Sequence, residues 1–126
     1  MRIFKGKVFA RWARKERIDD AVLSRAAREI FEGRADASLG GYLFKKRVAR
    51  SGGGKSGGYR TIIAFRSDQR RRVFFLYGFA KNERANISAR ERKALSILAA
   101  TLVKASDTQL EDLKARGTIV EMECGK

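Results

Sequence analysis

The chain has 126 residues, a length that fits one domain with a moderate core, and 44% of them are hydrophobic. Twenty-nine Lys and Arg stand against fourteen Asp and Glu, a net charge of +15 that repels itself in a compact state and calls for a polyanionic partner, nucleic acid first. Histidine is absent and Cys124 is the only cysteine, which excludes His-based triads, an internal disulfide and thiolate zinc sites.

The basic residues recur in loops, strand ends and several helices, whereas an amphipathic membrane binder would gather them on one helix opposite bulky apolar groups. No apolar run approaches the roughly 18 residues of a spanning helix, and the N-terminal stretch lacks the apolar segment and cleavage site of a signal peptide. A cytoplasmic protein is expected.

In chain order, Arg2–Lys5 alternates polar and apolar and predicts a short strand. Val8, Phe9, Trp12 and Ala13 recur at helical spacing between basic residues, giving an amphipathic helix over Lys7–Lys15. Trp12 is able to stack on a base, but its place on the apolar face favours core or a partner interface. The next helix is the clearest: Asp19 or Asp20 caps it, Val22/Leu23, Ala26/Ala27 and Ile30/Phe31 repeat every four residues, and Gly33 stops it.

Asp36–Gly41 reads as a turn and Tyr42–Arg50 as a strand with Leu43, Lys45, Arg47 and Ala49 on one side and Phe44, Lys46, Val48 and Arg50 on the other. A Gly-rich loop, Ser51–Gly58, leads into Tyr59–Arg66, and after a turn at Ser67–Arg71 comes Arg72–Ala80. Both strands are apolar on both faces, as expected at the centre of a sheet. Ser88 and Glu91 form a capping box ahead of an amphipathic helix through Leu95, Leu98, Ala99, Leu102 and Val103. Thr108 and Glu111 predict a second, shorter helix ending at Gly117, and Thr118–Met122 a terminal edge strand. With no internal repeat and no linker composition, residues 1–126 read as a single domain.

Gly54-Lys55-Ser56 invites comparison with a phosphate-binding P-loop. That pattern needs Gly where this chain has Ala49, and a helix where this chain has a strand. The glycines still allow close approach of a ligand and leave Lys55 to reach a phosphate. Near the hairpin the only acids are Asp68 and Glu83, too few for two-metal cleavage, so neither metal nor other cofactor is expected.

A metal-free cationic site remains. Antiparallel pairing around the Ser67–Arg71 turn sets Tyr59 and Arg60 beside Phe79–Lys81, so Lys45, Lys46, Arg47, Arg50, Lys55, Arg60, Lys81 and Arg84 share one end of the sheet. Preorganised cations stabilise the charge that a phosphodiester gains in its pentacoordinate transition state. Crowding also lowers a neighbouring Lys pKa, making it a general base toward an RNA 2′-OH, with Glu83 as the rival base. The plainer alternative is a basic nucleic-acid-binding face without chemistry.

The segments Gly57-Gly58-Tyr59-Arg60-Thr61-Ile62-Ile63-Ala64-Phe65-Arg66 and Phe75-Leu76-Tyr77-Gly78-Phe79-Ala80-Lys81-Asn82-Glu83-Arg84-Ala85-Asn86-Ile87-Ser88 resemble the RelE/ParE toxin superfamily, in particular its HigB-like branch of type II toxin–antitoxin systems. The resemblance in element order covers nearly the whole chain. It implies a small α+β fold, an antiparallel sheet with helices packed mainly on one side. It implies an endoribonuclease that cuts mRNA in the ribosomal A site, stops translation and is neutralised by a cognate antitoxin in a hetero-oligomer.

By the same resemblance Arg60 matches the arginine that stabilises the scissile phosphate, and Lys81, Glu83 and Arg84 match a basic-acidic-basic turn. Asn82 stands where RelE has a second Arg, and Ser88 where RelE has a Tyr that orients RNA. The Lys45–Arg50 stretch corresponds approximately to the family's basic strand, which leaves the base open among Lys46, Lys55 and others. Lys45, Arg47, Arg50, Tyr59 and Asn82 are the expected RNA- and ribosome-contacting residues, Tyr59 and Tyr77 being the nearby aromatics. A ParE-like gyrase inhibitor and a non-catalytic RNA-binding module are the competing functions.

Overall fold

A computed structural model describes residues 1–49, 58–66, 68 and 72–123. The elements run β1 (Arg2–Gly6), α1 (Lys7–Lys15), α2 (Asp20–Phe31), β2 (Ala37–Gly40), β3 (Leu43–Val48), β4 (Tyr59–Phe65), β5 (Arg72–Ala80), α3 (Ala89–Val103), α4 (Asp107–Ala115) and β6 (Ile119–Glu121). The strands form one sheet in the order β2-β3-β4-β5-β1-β6. Every pairing is antiparallel except that of β1 with β5.

Because successive strand residues point to opposite faces, the sheet has two cores. Ile3, Val73, Phe75, Tyr59 and Ile63 meet α1 and α2 through Phe9, Ala13, Leu23 and Ile30. Phe4, Phe74, Leu76, Ile62 and Ala64 meet α3 and α4 through Ala99, Leu102 and Leu110. The α+β class and the mostly antiparallel sheet agree with the resemblance, while the helices divide between both faces instead of gathering on one. The reason is visible in β4 and β5, whose continuous apolar runs leave two faces to cover.

Asp36–Gly41, read as a turn, instead contains β2, whose Ala37 and Ser38 pair with Lys45 and Phe44. Gly40 then turns the chain at φ 84°. The box at Ser88 and Glu91 caps α3 as expected, whereas α4 is capped two residues earlier than expected, by Ser106 and Gln109. Arg72, buried at the start of β5, donates to the Ala105 carbonyl and pairs with Asp107 at 2.6 Å, which pins the α3–α4 junction to the sheet.

Trp12 is half-buried and packs against the core. Its ring covers Gly78 and meets Tyr59 edge-on at 5.2 Å and Phe9 at 5.5 Å. No helix among the described residues is long and apolar enough to cross a membrane.

Candidate nucleic-acid interface

The central hairpin sets the frame of the site. β4 pairs with β5 so that Tyr59 opposes Ala80 and Arg60 opposes Phe79, and on its other side Arg60 opposes Arg47 of β3. Directly opposed residues share a face, so Arg47, Arg60 and Phe79 form a row across three strands on the α3 side. Lys45, opposite Ile62, joins the same face one step along β3.

Immediately after β5 the chain turns through Lys81, Asn82 and Glu83, all exposed, and the Lys81 N–H donates to the Gly58 carbonyl at 3.1 Å. That bond draws the turn to the same sheet end as Arg60. Arg84 folds back over the aromatic surface, its guanidinium 5.4 Å from the Phe79 ring centre and 5.9 Å from that of Tyr77.

Arg84 is also fully engaged. It pairs with Glu91, donates to the Tyr77 hydroxyl at 3.2 Å and donates through Nε to the Asn86 carbonyl at 3.0 Å. The Tyr77 hydroxyl in turn donates to Glu91 Oε2 at 3.2 Å. Glu91 thus has two structural duties, since its carboxylate also accepts the Ser88 N–H at 2.7 Å in the capping box. The Arg84 guanidinium, with the Ser88 N–H, holds the Glu91 carboxyl down to about 2. Burial, with the carboxylate of Glu91 adding to it, pushes the Tyr77 hydroxyl up, and Glu91 raises Arg84.

Lys45, Arg47, Arg60 and Lys81 are different. Among the described residues, none of them has a carboxylate within ion-pair distance, whereas Arg2, Lys46, Arg72, Arg84 and Lys114 all do. Beyond Lys45, β2 no longer pairs with β3, and the Arg47 N–H there donates to the Asp36 carboxylate at 2.5 Å. That edge borders a groove of about 600 Å³ lined by Arg47, Arg60, Lys46 and Asp36 and, from α2, Arg25 and Glu29. The groove has room for a nucleotide-sized group.

Two expected site residues are not brought to this row. Lys46 points to the opposite face, where it is buried, pairs with Glu29 at 2.7 Å and donates to the Arg34 carbonyl at 2.8 Å. Tyr59 is buried on that same face, with its hydroxyl on Glu16 at 3.0 Å. Period-2 alternation is the cause: each sits one residue from a member of the row. Arg50 and Lys55 lie outside the described residues. In the sequence Glu91 shows a capping duty only, because its contact with Arg84 and Tyr77 depends on how the Lys81–Glu83 turn folds back.

Two results are expected from these contacts. Lys46→Ala should lower stability by about 1–3 kcal/mol in chemical unfolding, since it strips a partly buried Glu29 of its partner, while activity per folded molecule stays at the parent level. Loss of activity in fully folded protein would return Lys46 to the site. Glu91→Gln keeps a residue able to complete the capping box but removes the charge. With the folded pKa depressed from 4.5 to about 2, Glu91 stabilises fully above the ordinary carboxylate range and loses that contribution as pH falls through this window. The fall of Tm between pH 4.5 and 2 should therefore be shallower in Glu91→Gln than in the parent; equal slopes would show that the Arg84 pair contributes nothing.

Residues 1–122 match the family model described as the RelE toxin of the RelE/RelB toxin–antitoxin system. The match spans nearly the whole chain, so the protein belongs to the RelE toxin family of toxin–antitoxin systems.

Proposed function

From membership in a family of toxins that pair with antitoxins, we propose that the protein is a HigB-like endoribonuclease that cuts mRNA in the ribosomal A site, in the cytoplasm, and so stops translation. The observation that carries this reading is the Arg47–Arg60 pair. Like charges directly opposite one another on a sheet destabilise it, and among the described residues neither guanidinium makes an ion pair, the nearby Asp36 carboxylate being held by the Arg47 backbone N–H. An incoming phosphate does.

In the reaction the RNA 2′-OH attacks the adjacent phosphorus, its proton passing to a base, and the P–O5′ bond breaks with a proton delivered to the departing 5′ oxygen. The products are a 2′,3′-cyclic phosphate and a 5′-OH. Arg60 and Arg47 hold the non-bridging oxygens as they gain charge, with bidentate donors that suit a phosphate. Lys45, Lys81 and Glu83 flank the row and are the candidates for proton transfer, together with Lys55 from the Gly-rich loop. Arg84, fastened by Glu91 over Phe79 and Tyr77, offers its guanidinium plane for the neighbouring base to stack on. The ribosome positions the mRNA, and that proximity supplies much of the rate.

Cell-free translation with purified protein tests this reading. Message should be cut when ribosomes are translating it and remain whole when they are omitted, and the cognate antitoxin should prevent cutting. Unimpaired translation with inhibited DNA gyrase would replace this reading with a gyrase-poisoning one.

A further inference from the structure

The turn that carries Lys81, Asn82 and Glu83 hangs between two anchors. On one side the Lys81 N–H donates to the Gly58 carbonyl at 3.1 Å, and on the other the Arg84 side chain is tied down by Asn86, Tyr77 and Glu91. Between them the backbone closes on Ala80, whose carbonyl accepts the N–H groups of Glu83 and Arg84 at 3.0 and 3.3 Å. The Lys81, Asn82 and Glu83 side chains are exposed and hold the turn to nothing else among the described residues. Its side-chain fastening falls to Arg84, and through Arg84 to Glu91.

Glu91 is rigidly placed for this. Its carboxylate accepts the Ser88 N–H at 2.7 Å and its own N–H donates to the Ser88 hydroxyl at 3.1 Å, which fixes it to the start of a 15-residue helix whose Ala99 and Leu102 lie in the core. The two carboxylate oxygens then take both terminal nitrogens of Arg84, at 2.5 and 3.2 Å. Such a bidentate pair sets the plane of a guanidinium as well as its position.

Capping does not account for this arrangement. The box uses Oε1 alone, and a neutral Gln serves in it as well as Glu. The charge and Oε2 are left over, and Oε2 is the atom that accepts from Arg84 and from the Tyr77 hydroxyl. The Arg84 charge is thereby spent inside the protein, so Arg84 supplies a held plane, whereas Arg47 and Arg60 supply net charge.

We propose that Glu91, assisted by Tyr77, is a positioning residue for RNA cleavage: through Arg84 it fixes the Lys81–Glu83 turn against the Arg47–Arg60 row, using a charge that the helix cap does not need. The assignment rests on the ribonuclease reading. With the latch open, Arg84 swings and the groups available for proton transfer lose one of their two anchors; a misplacement of about 1 Å at a reacting centre costs on the order of 100-fold in rate.

The test is a double-mutant cycle between Glu91→Gln and Arg84→Ala, read as single-turnover cleavage of mRNA on translating ribosomes. Glu91→Gln should lower the saturating rate by about 10–100-fold, with the half-saturating ribosome concentration within about twofold of the parent. In the Arg84→Ala background the same change should cost less than about twofold, because its effect runs through Arg84. A capping role alone predicts the same loss in both backgrounds, and that additivity would overturn the assignment, as would undiminished cleavage by folded Glu91→Gln. Tyr77→Phe keeps the ring and removes the hydroxyl. It should lower the rate by roughly the few-fold of one lost hydrogen bond in the parent but not in Arg84→Ala, and it serves if Glu91→Gln fails to fold. A parent that cuts no message would overturn the ribonuclease reading and the positioning role with it, so the parent alone tells the two failures apart.

Discussion

Arg60→Ala is expected to lower the single-turnover rate of ribosome-dependent mRNA cleavage by about 10²–10³-fold, the usual loss when one preorganised donor to a developing oxyanion is removed. The same change should leave Tm level or raise it. Arg60 has no described ion pair to lose, and its removal relieves the repulsion from Arg47 across the β3–β4 ladder. Loss of activity with stability retained separates a working residue from a structural one. Arg60→Lys keeps the charge but forfeits the planar fork, so an intermediate rate is expected. Cleavage within a few-fold of the parent in folded Arg60→Ala would remove Arg60 from the centre of the site.

Gly78→Ala is expected to be the most damaging small substitution in the core. A methyl group there would overlap Cζ3, Cε3 and Cη2 of Trp12, and that indole is wedged between Phe9 and Tyr59. Overpacking of this kind costs about 3 kcal/mol at the upper end of its usual range, a fall in Tm on the order of 10 °C for a domain of this size. Adding Trp12→Leu should restore part of the loss, because the two positions share one space and their effects are not additive. A Tm for Gly78→Ala within 2 °C of the parent, roughly the shift of half a kcal/mol, would show that the indole moves aside freely.

The hairpin at the heart of the site was legible because its register depends on local turn chemistry and apolar patterning. Tyr59 and Arg60 do lie beside Ala80 and Phe79. Alternation also separated Lys45 and Arg47 from Lys46. It did not say which face would carry the unpaired charge. That depended on Glu29 and Glu16, which come from the helices covering the other face and take up Lys46 and Tyr59.

Other features were out of reach for reasons that differ. β2 has only Ala, Ser, Leu and Gly, with little intrinsic strand preference, and exists through its pairing with β3. The parallel pairing of β1 with β5 joins residues about seventy apart and leaves no local sign. For α4, Ser106/Gln109 and Thr108/Glu111 both satisfy the capping pattern, and the pinning of Asp107 by Arg72 accompanies the earlier start.

The opposed Arg47 and Arg60 are proposed to hold a phosphodiester under attack by its own 2′-OH. Analysis of the ends of mRNA cut on translating ribosomes tests it most directly. A 2′,3′-cyclic phosphate on the upstream fragment and a 5′-OH on the downstream one are expected, both lost with Arg60→Ala. A 3′-OH and a 5′-phosphate at the cut would mean that water attacked instead, and would contradict it.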